Sequence, residues 1–308
     1  MNSLVCAVLI GLTAPGAVDK RLIPLFESLE CRFPSGSHAG EVFRYRLFVP
    51  KPLDPEKKYP LLLWLPGQEI IDPENTEQLM HAQCLITRPD EPSRYPYFIL
   101  VPQCPEDRSE QFAVTLEALD ETIRKYPVDP GRVYLLGISA GGSAVWQFAL
   151  RYPNRFAALA PLASAGPNPA EVVKLRNVPV WAFHKQDDQI IPLDSVHRAV
   201  SALREAGGTA HLTVFEGNTH DAWTAALHEY KVVNWMLWQR RGETCWYPPG
   251  IRPWNPRQIA AQALIPTVIG LAAWSVWRKR RKRAAEQGES RTEWHSVLQG
   301  GRATAEGE

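Results

Sequence analysis

Short apolar runs alternate with longer mixed stretches through the middle of the chain. Runs such as 61–65 and 157–162 are apolar at nearly every position, which is typical of strands covered on both faces. The longer stretches between them are typical of helices, so the alternation predicts a doubly wound α/β domain with a mostly parallel sheet. The predicted strands are 42–49, 61–65, 97–101, 133–136, 157–162, 178–183 and 211–215, and the predicted helices are 112–126, 143–151, 193–205 and 225–239.

A short apolar run stands at the amino terminus. Residues 4–14 read LVCAVLIGLTA, and the small residues Gly16 and Ala17 follow, which predicts a signal peptide over residues 1–17. No Lys or Arg precedes the run. Two alternatives therefore stay open: a first strand or helix of the fold, or a start site that trims a longer leader.

A second apolar segment lies near the carboxyl terminus. Residues 259–277 contain no charged side chain and as a helix would cross a bilayer. The basic run RKRRKR at 278–283 follows directly, as expected of a cytoplasmic flank. The segment therefore predicts a transmembrane helix. Because it is rich in alanine and contains Gln262, a buried helical hairpin or peripheral membrane association remains an alternative.

These patterns predict the organisation of the whole chain. The α/β domain occupies residues 18–241, a linker rich in Pro and Trp occupies 242–258, and a basic and then disordered cytoplasmic tail occupies 278–308. The expected location is the cell membrane, with a single span and the α/β domain on the extracytoplasmic side. Membrane lipid is then a partner of the segment at 259–277.

Charge and cysteine content narrow the functional classes. Lys and Arg total 34 against 33 for Asp and Glu, so nothing favours nucleic-acid binding, and the basic run is explained by membrane topology and anionic lipid. The five cysteines show no CxxC or Cys/His ligand spacing, so we expect no metal site and no cofactor. Without Cys6, the other four permit either disulfides or separate buried thiols.

The sharpest motif is the pentapeptide GISAG at residues 137–141. It directly follows the predicted strand 133–136 and precedes a predicted helix, which is the context of a nucleophile elbow. The turn is so tight that the residues two positions either side of the serine must be small. Ser139 is therefore predicted to be a catalytic nucleophile, with the helix amino terminus favouring a developing anion.

A serine nucleophile needs a base and a carboxylate that orients the base. In this architecture the order along the chain is serine, acid, histidine, and loops at the carboxyl ends of strands carry the site. The loop HKQDDQIIP after strand 178–183 offers Asp188 as the acid, with Asp187 and Asp194 as alternatives. The loop EGNTHDAW after strand 211–215 offers His220, which among the eight histidines has the best context for the base.

Several sequence elements together resemble a known family. YPLLLWLPG, YFILVPQCP, YPVDPGRVYLLGISAGG, DDQIIP and NTHDAW are similar to bacterial predicted peptidases and carboxylesterases of the α/β-hydrolase fold. These proteins are related to polyhydroxybutyrate depolymerases and feruloyl esterases. The similarity covers about residues 42–241 and implies the triad Ser139, Asp188 and His220.

The chain departs from this family at the oxyanion hole. Family members usually read His-Gly-x-Gly after the first central strand, whereas this chain reads PGQE at residues 66–69. Because the donors are backbone amides, those of Gln68 and Ala140 can still bind the oxyanion. The stretch 103–117 is also shorter than in relatives. Gln103 is either a turn residue or a substrate contact, and Trp146 and Trp223 are expected in the core rather than in a substrate pocket.

The functional expectation is a carboxylic ester hydrolase acting on a small-molecule ester or acylated substrate through an acyl-enzyme. The same triad can cleave amides, so a serine peptidase is the near alternative. The altered PGQE loop motivates a third hypothesis, a membrane-tethered hydrolase-like binding protein without turnover.

Overall fold

The computed structural model describes residues 18–67, 73–82, 85–86, 97–103, 111–228 and 232–243. The predicted signal peptide, the predicted transmembrane helix, the tail and all of the linker beyond residue 243 lie outside the described residues. So do Gln68 and four of the five cysteines. These predictions stay predictions.

Within the described residues, eight strands form one sheet in the order β1-β2-β4-β3-β5-β6-β7-β8. β1 and β2 pair antiparallel, as do β2 and β4, and the other neighbours pair parallel. The α/β fold with a mostly parallel sheet is therefore confirmed. The strands are β1 Phe26–Arg32, β2 Val42–Phe48, β3 Tyr59–Leu65, β4 Phe98–Pro102, β5 Val128–Ile138, β6 Ala158–Leu162, β7 Val180–Lys185 and β8 Ala210–Phe215.

Helices cover both faces of the sheet, which explains why every residue of β3, β4 and β6 is buried. α2, α3 and α5 pack on one face, and α1, α6 and α7 pack on the other. The helices are α1 Leu79–Ala82, α2 Gln111–Lys125, α3 Ser139–Arg151, α4 Pro169–Val172, α5 Leu193–Glu205, α6 Trp223–His228 and α7 Val232–Leu237.

Several elements differ from the sequence prediction: the short helices α1 and α4 were not predicted, and β5 begins at Val128 rather than at residue 133. β1 was not predicted, because its sequence FESLECR has mostly exposed or half-buried positions, as fits a strand at the edge of a sheet. α3 begins at Ser139 rather than at residue 143, since the glycines that argue against a helix are required by the turn before it. The predicted helix 225–239 overlaps α6, which begins two residues earlier, and contains α7. Residues 229–231 lie outside the described residues.

In the part of the chain that the structure describes, no helix is long and apolar enough to span a membrane. No group of His, Cys, Asp and Glu side chains there could hold a metal ion. Cys31 is a buried free thiol, and burial raises its pKa to about 12.

The start of α3 crosses the end of β3 without space for side chains. A Cβ atom at Gly137 would lie 2.6 Å from the Leu65 carbonyl oxygen, and one at Gly141 would overlap the carbonyl oxygens of Leu65 and Pro66. Glycine at both positions therefore lets the β5–α3 turn sit directly against the backbone that leads from β3 into residues 66–67.

Gly141→Ala should lower the free energy of unfolding by about 3 kcal/mol, because the obstructing atoms are backbone and cannot swing away. Gly131→Ala is the control: its Cβ would meet only side chains, Asp129 at 3.2 Å and Arg240 at 3.7 Å, and should cost about 1 kcal/mol or less. Urea denaturation measures both. Equal losses in the two variants would contradict the close crossing.

Candidate active site

Ser139 occupies the strained turn between β5 and α3. Its φ is 53°, a left-handed backbone conformation that costs a non-glycine residue free energy. This geometry is that of a nucleophile elbow, and it places the half-buried serine at the carboxyl end of a central strand. β5 lies between β3 and β6, so the sheet holds the turn from both sides.

The three residues predicted as a triad lie in one hydrogen-bonded chain. His220 Nε2 is 2.8 Å from Ser139 Oγ, and His220 Nδ1 is 2.7 Å from Asp188 Oδ2. Because an ionised carboxylate only accepts hydrogen bonds, Nδ1 carries the proton and Nε2 accepts from the serine hydroxyl. This arrangement can take a proton from Ser139 as the hydroxyl attacks an electrophile.

Asp188 is fixed by the loop in which it lies. Its side chain is 0% exposed, and Oδ1 accepts hydrogen bonds from the backbone N–H groups of Ile190 at 2.8 Å and Ile191 at 3.0 Å. Burial is the largest influence on the Asp188 pKa and raises it, but the hydrogen bonds from Ile191, His220 and Ile190 together outweigh burial and lower the pKa. The carboxylate therefore stays ionised beside His220.

The alternative acids lie elsewhere. Asp187 is exposed, and its backbone N–H donates to the Gly217 carbonyl. Asp194 is in the first turn of α5, with its side chain 81% exposed and paired with Arg198. The structure thus brings Asp188, and neither alternative, to the histidine.

The loops that carry the acid and the base are joined to each other. β7 and β8 pair in parallel up to Lys185 and Phe215, and beyond them the Gln186 N–H donates to the Phe215 carbonyl. Together with the bond from Asp187 to Gly217, this pairing extends the ladder past the strand ends. It holds the two loops in one register.

The two predicted oxyanion donors differ in what the structure shows. Ala140 is the second residue of α3, where backbone N–H groups have no acceptor within the helix. Gln68 lies outside the described residues. Pro66 and Gly67, which precede it, are buried, and the Pro66 carbonyl is against Gly141. The β3 end therefore reaches the elbow.

Trp223 is an aromatic neighbour of His220, for which the sequence favours the core over a substrate pocket. Trp223 packs on the core, but its ring also meets the His220 ring edge-on at 5.5 Å and the His81 ring at 5.6 Å. Trp146 is fully buried, as predicted. Gln103 is buried, and its N–H donates to the Arg44 carbonyl. The short spacing between His220 and Trp223 was the sequence signal for an aromatic wall beside the base.

Known proteins share this architecture. Residues 98–232 match the model of the Dienelactone hydrolase family. A crystal structure of a thermostable esterase superposes with a TM-score of 0.64 at 26% identity, over 72% of this chain and 64% of that chain. The chain belongs to the α/β-hydrolase superfamily. The resemblance found in its sequence motifs is thereby confirmed.

Two further proteins are similar to this chain. "Putative esterase NocK" from Nocardia uniformis subsp. tsuyamanensis is 34% identical over 82 residues, which are 26% of this chain and 24% of that protein. A ferulic acid esterase shares the fold with a TM-score of 0.55 at 19% identity, over 69% of this chain and 98% of that one. The chain thus spans a quarter of the curated relative and just under two thirds of the thermostable esterase.

The buried His184 and the half-buried His211 make the stability of the protein depend on pH. Burial lowers the pKa of His184 and of His211 from the ordinary value of 6.5, and Arg204 lowers that of His211 further. Below about pH 6.5 the unfolded chain binds protons that the folded chain does not. The contribution of the two neutral histidines to the free energy of unfolding is therefore complete above that pH and is lost as the pH falls.

We expect the free energy of unfolding, measured by urea denaturation, to fall between about pH 7 and about pH 5, by up to about 1.4 kcal/mol per pH unit for each histidine. His211→Gln should flatten this dependence, whereas His197→Gln, at an exposed position on α5, should not. Parallel pH profiles for the wild type and His211→Gln would contradict the assignment.

Proposed function

We propose that the chain is a serine hydrolase that cleaves carboxylic esters through an acyl-enzyme on Ser139. The observation that carries the proposal is the unbroken chain of hydrogen bonds from Ser139 through His220 to the buried Asp188. The match to the Dienelactone hydrolase family and the similarity to a thermostable esterase support ester hydrolysis.

In the proposed reaction, Ser139 Oγ attacks the ester carbonyl while its proton passes to His220 Nε2. Asp188 stabilises the imidazolium that forms, through the Nδ1–H bond. The tetrahedral oxyanion is bound by the backbone N–H of Ala140 and, as a second donor, by that of Gln68. His220 then gives its proton to the departing alcohol, and water releases the acyl group by the same steps.

An ester is favoured over an amide by the nature of the similar proteins. The thermostable esterase is 26% identical to this chain over the aligned residues. Acylaminoacyl peptidases are also structural neighbours, but at 15% and 13% identity they share only the fold. A serine peptidase remains the second candidate because the triad chemistry is the same.

A binding protein without turnover is less well supported by the geometry. A fold that has lost catalysis has no need to keep Ser139 at a left-handed φ of 53° or to bury a charged carboxylate beside His220.

We also propose, from the sequence segments at residues 1–17 and 259–277, that the enzyme is anchored in the cell membrane with its hydrolase domain outside. Membrane lipid then contacts the segment at 259–277.

The activated serine is tested with a fluorophosphonate probe on the full-length chain in mild detergent. The wild type should be labelled, Ser139→Ala should not, and His220→Ala should react at least about a thousandfold more slowly, because the hydroxyl loses its base. Ser201→Ala, on α5, is the control for serine replacement. A folded wild type that stays unlabelled would rule out an activated Ser139.

The bond that is cleaved is tested with matched p-nitrophenyl esters and p-nitroanilides of the same acyl groups. We expect an initial burst of p-nitrophenol with the esters, loss of about a thousandfold or more in kcat for Ser139→Ala, and much slower turnover of the anilides. Comparable kcat/KM values for the anilides would favour the peptidase. If neither the esters nor the anilides are turned over while fluorophosphonate still labels Ser139, the proposed substrate class is wrong and the activated triad stands.

A further inference from the structure

A second histidine lies beside the proposed acid and has no part in the triad. His184 is at the carboxyl end of β7, four residues before Asp188, and its side chain is 0% exposed. Its Nε2 lies 2.8 Å from the carbonyl oxygen of Ile191 and 3.6 Å from Asp188 Oδ2. The imidazole thus contacts Ile191, near the end of the loop at residues 186–192 that carries Asp188, which we call the acid loop.

These contacts fix the tautomer of His184. A carbonyl oxygen can only accept a hydrogen bond, so Nε2 must carry the proton and donate it to Ile191. Nδ1 is buried and has no hydrogen-bond partner among the described residues, so it is the bare nitrogen. A second proton on Nδ1 would be buried unpaired, which is unfavourable. The ring therefore stays neutral.

Ile191 is held from two sides. Its N–H donates to Asp188 Oδ1 at 3.0 Å, and its carbonyl accepts from His184 Nε2 at 2.8 Å. These two hydrogen bonds, together with the chain from residue 184 to residue 188, close a ring through His184, Ile191 and Asp188, which we call the acid ring. The ring ties the acid loop back to β7, the rigid strand from which the loop emerges.

The acid ring determines where Asp188 points. With Oδ1 occupied by the N–H groups of Ile190 and Ile191, the free oxygen Oδ2 is directed at His220 Nδ1, 2.7 Å away. The ionisable groups that act on His184 are Asp188 and His220. Without the bond to His184, the Ile191 carbonyl loses its tie to β7, and the carboxylate can rotate away from His220.

We propose that His184 is a positioning residue that holds the Asp188 loop in the geometry required to orient His220. Its kinetic consequence rests on the proposed hydrolase function, whereas its tautomer and the acid ring do not. The reaction requires an accurately placed carboxylate only as charge develops on His220, so loss of the bond should affect turnover rather than substrate binding.

Two substitutions separate positioning from simple packing. Gln places an amide nitrogen close to the position of Nε2 and can still donate to Ile191, whereas Leu fills space without a donor. For ester hydrolysis by the full-length chain, His184→Leu should lower kcat by about tenfold to a hundredfold, as expected for a misplaced catalytic group, with KM within about twofold. His184→Gln should recover most of kcat.

His211→Leu is the matched control, because it removes a histidine from the neighbouring strand β8 away from the acid loop. It should change thermal stability without lowering kcat. If His184→Leu and His184→Gln lose kcat equally, or if His184→Leu keeps wild-type kcat, the positioning role is overturned.

Nitrogen-15 NMR of the histidine side chains tests the acid ring without any assay of activity. In the wild type, His184 should show a protonated Nε2 and a bare Nδ1, and His220 should show a far-downfield Nδ1 proton bonded to the carboxylate. That downfield proton should persist in His184→Gln and be lost in His184→Leu. The opposite tautomer of His184 in the wild type would overturn the proposal even if a variant failed to fold.

The two proposals fail in different ways. A wild type that shows the expected NMR signals but is not labelled by fluorophosphonate would remove the hydrolase function and leave the acid ring intact. A labelled, active wild type whose His184→Leu variant keeps both kcat and the downfield proton would remove the role of His184 alone.

Discussion

The close contact between the β5–α3 turn and the end of β3 is the constraint on which the site depends. Ser139 adopts a φ of 53°, which costs of order 1–3 kcal/mol for a non-glycine residue. That strain persists because the flanking segments cannot move: β5 is paired on both sides, and Gly137 and Gly141 let α3 pack directly on the Leu65 and Pro66 backbone. The serine thus follows directly on the buried carboxyl-terminal half of β5.

The acid and the base depend on a different pairing. β7 and β8 are neighbours in the sheet, and backbone hydrogen bonds continue between their loops beyond the strand ends. Asp188 and His220 are 32 residues apart in sequence, yet they meet because parallel strands deliver their carboxyl ends to the same edge. The buried carboxylate is ionised because three N–H donors surround it, which offsets the cost of removing it from water.

Further side chains surround the base and the acid of the triad. Trp223 forms an aromatic wall against the base, and the His81 side chain of α1 also contacts the Trp223 indole. Next to Asp188, His184 completes the acid ring. The base is thus bordered by an aromatic side chain, and the acid by a neutral imidazole. The histidine that is close in sequence to the acid supports it, and the distant one serves as the proposed base.

The sequence by itself determined seven of the eight strands of the described sheet, the α/β class and the position of the elbow. Continuous apolar runs specify strands buried on both faces, and Gly137, Ser139 and Gly141 specify a turn that few other residues allow. It could not identify β1, because an edge strand is half exposed and carries no apolar run.

Only the tertiary structure decided which of the neighbouring polar residues act together. Asp187 and Asp188 are adjacent and chemically identical, and backbone hydrogen bonds of the folded loop leave the first exposed and bury the second against His220. Likewise, His184 reads as an ordinary strand residue until the loop folds back onto it. The physical reason is that a side chain's partners depend on contacts between distant strands, which local sequence pattern does not encode.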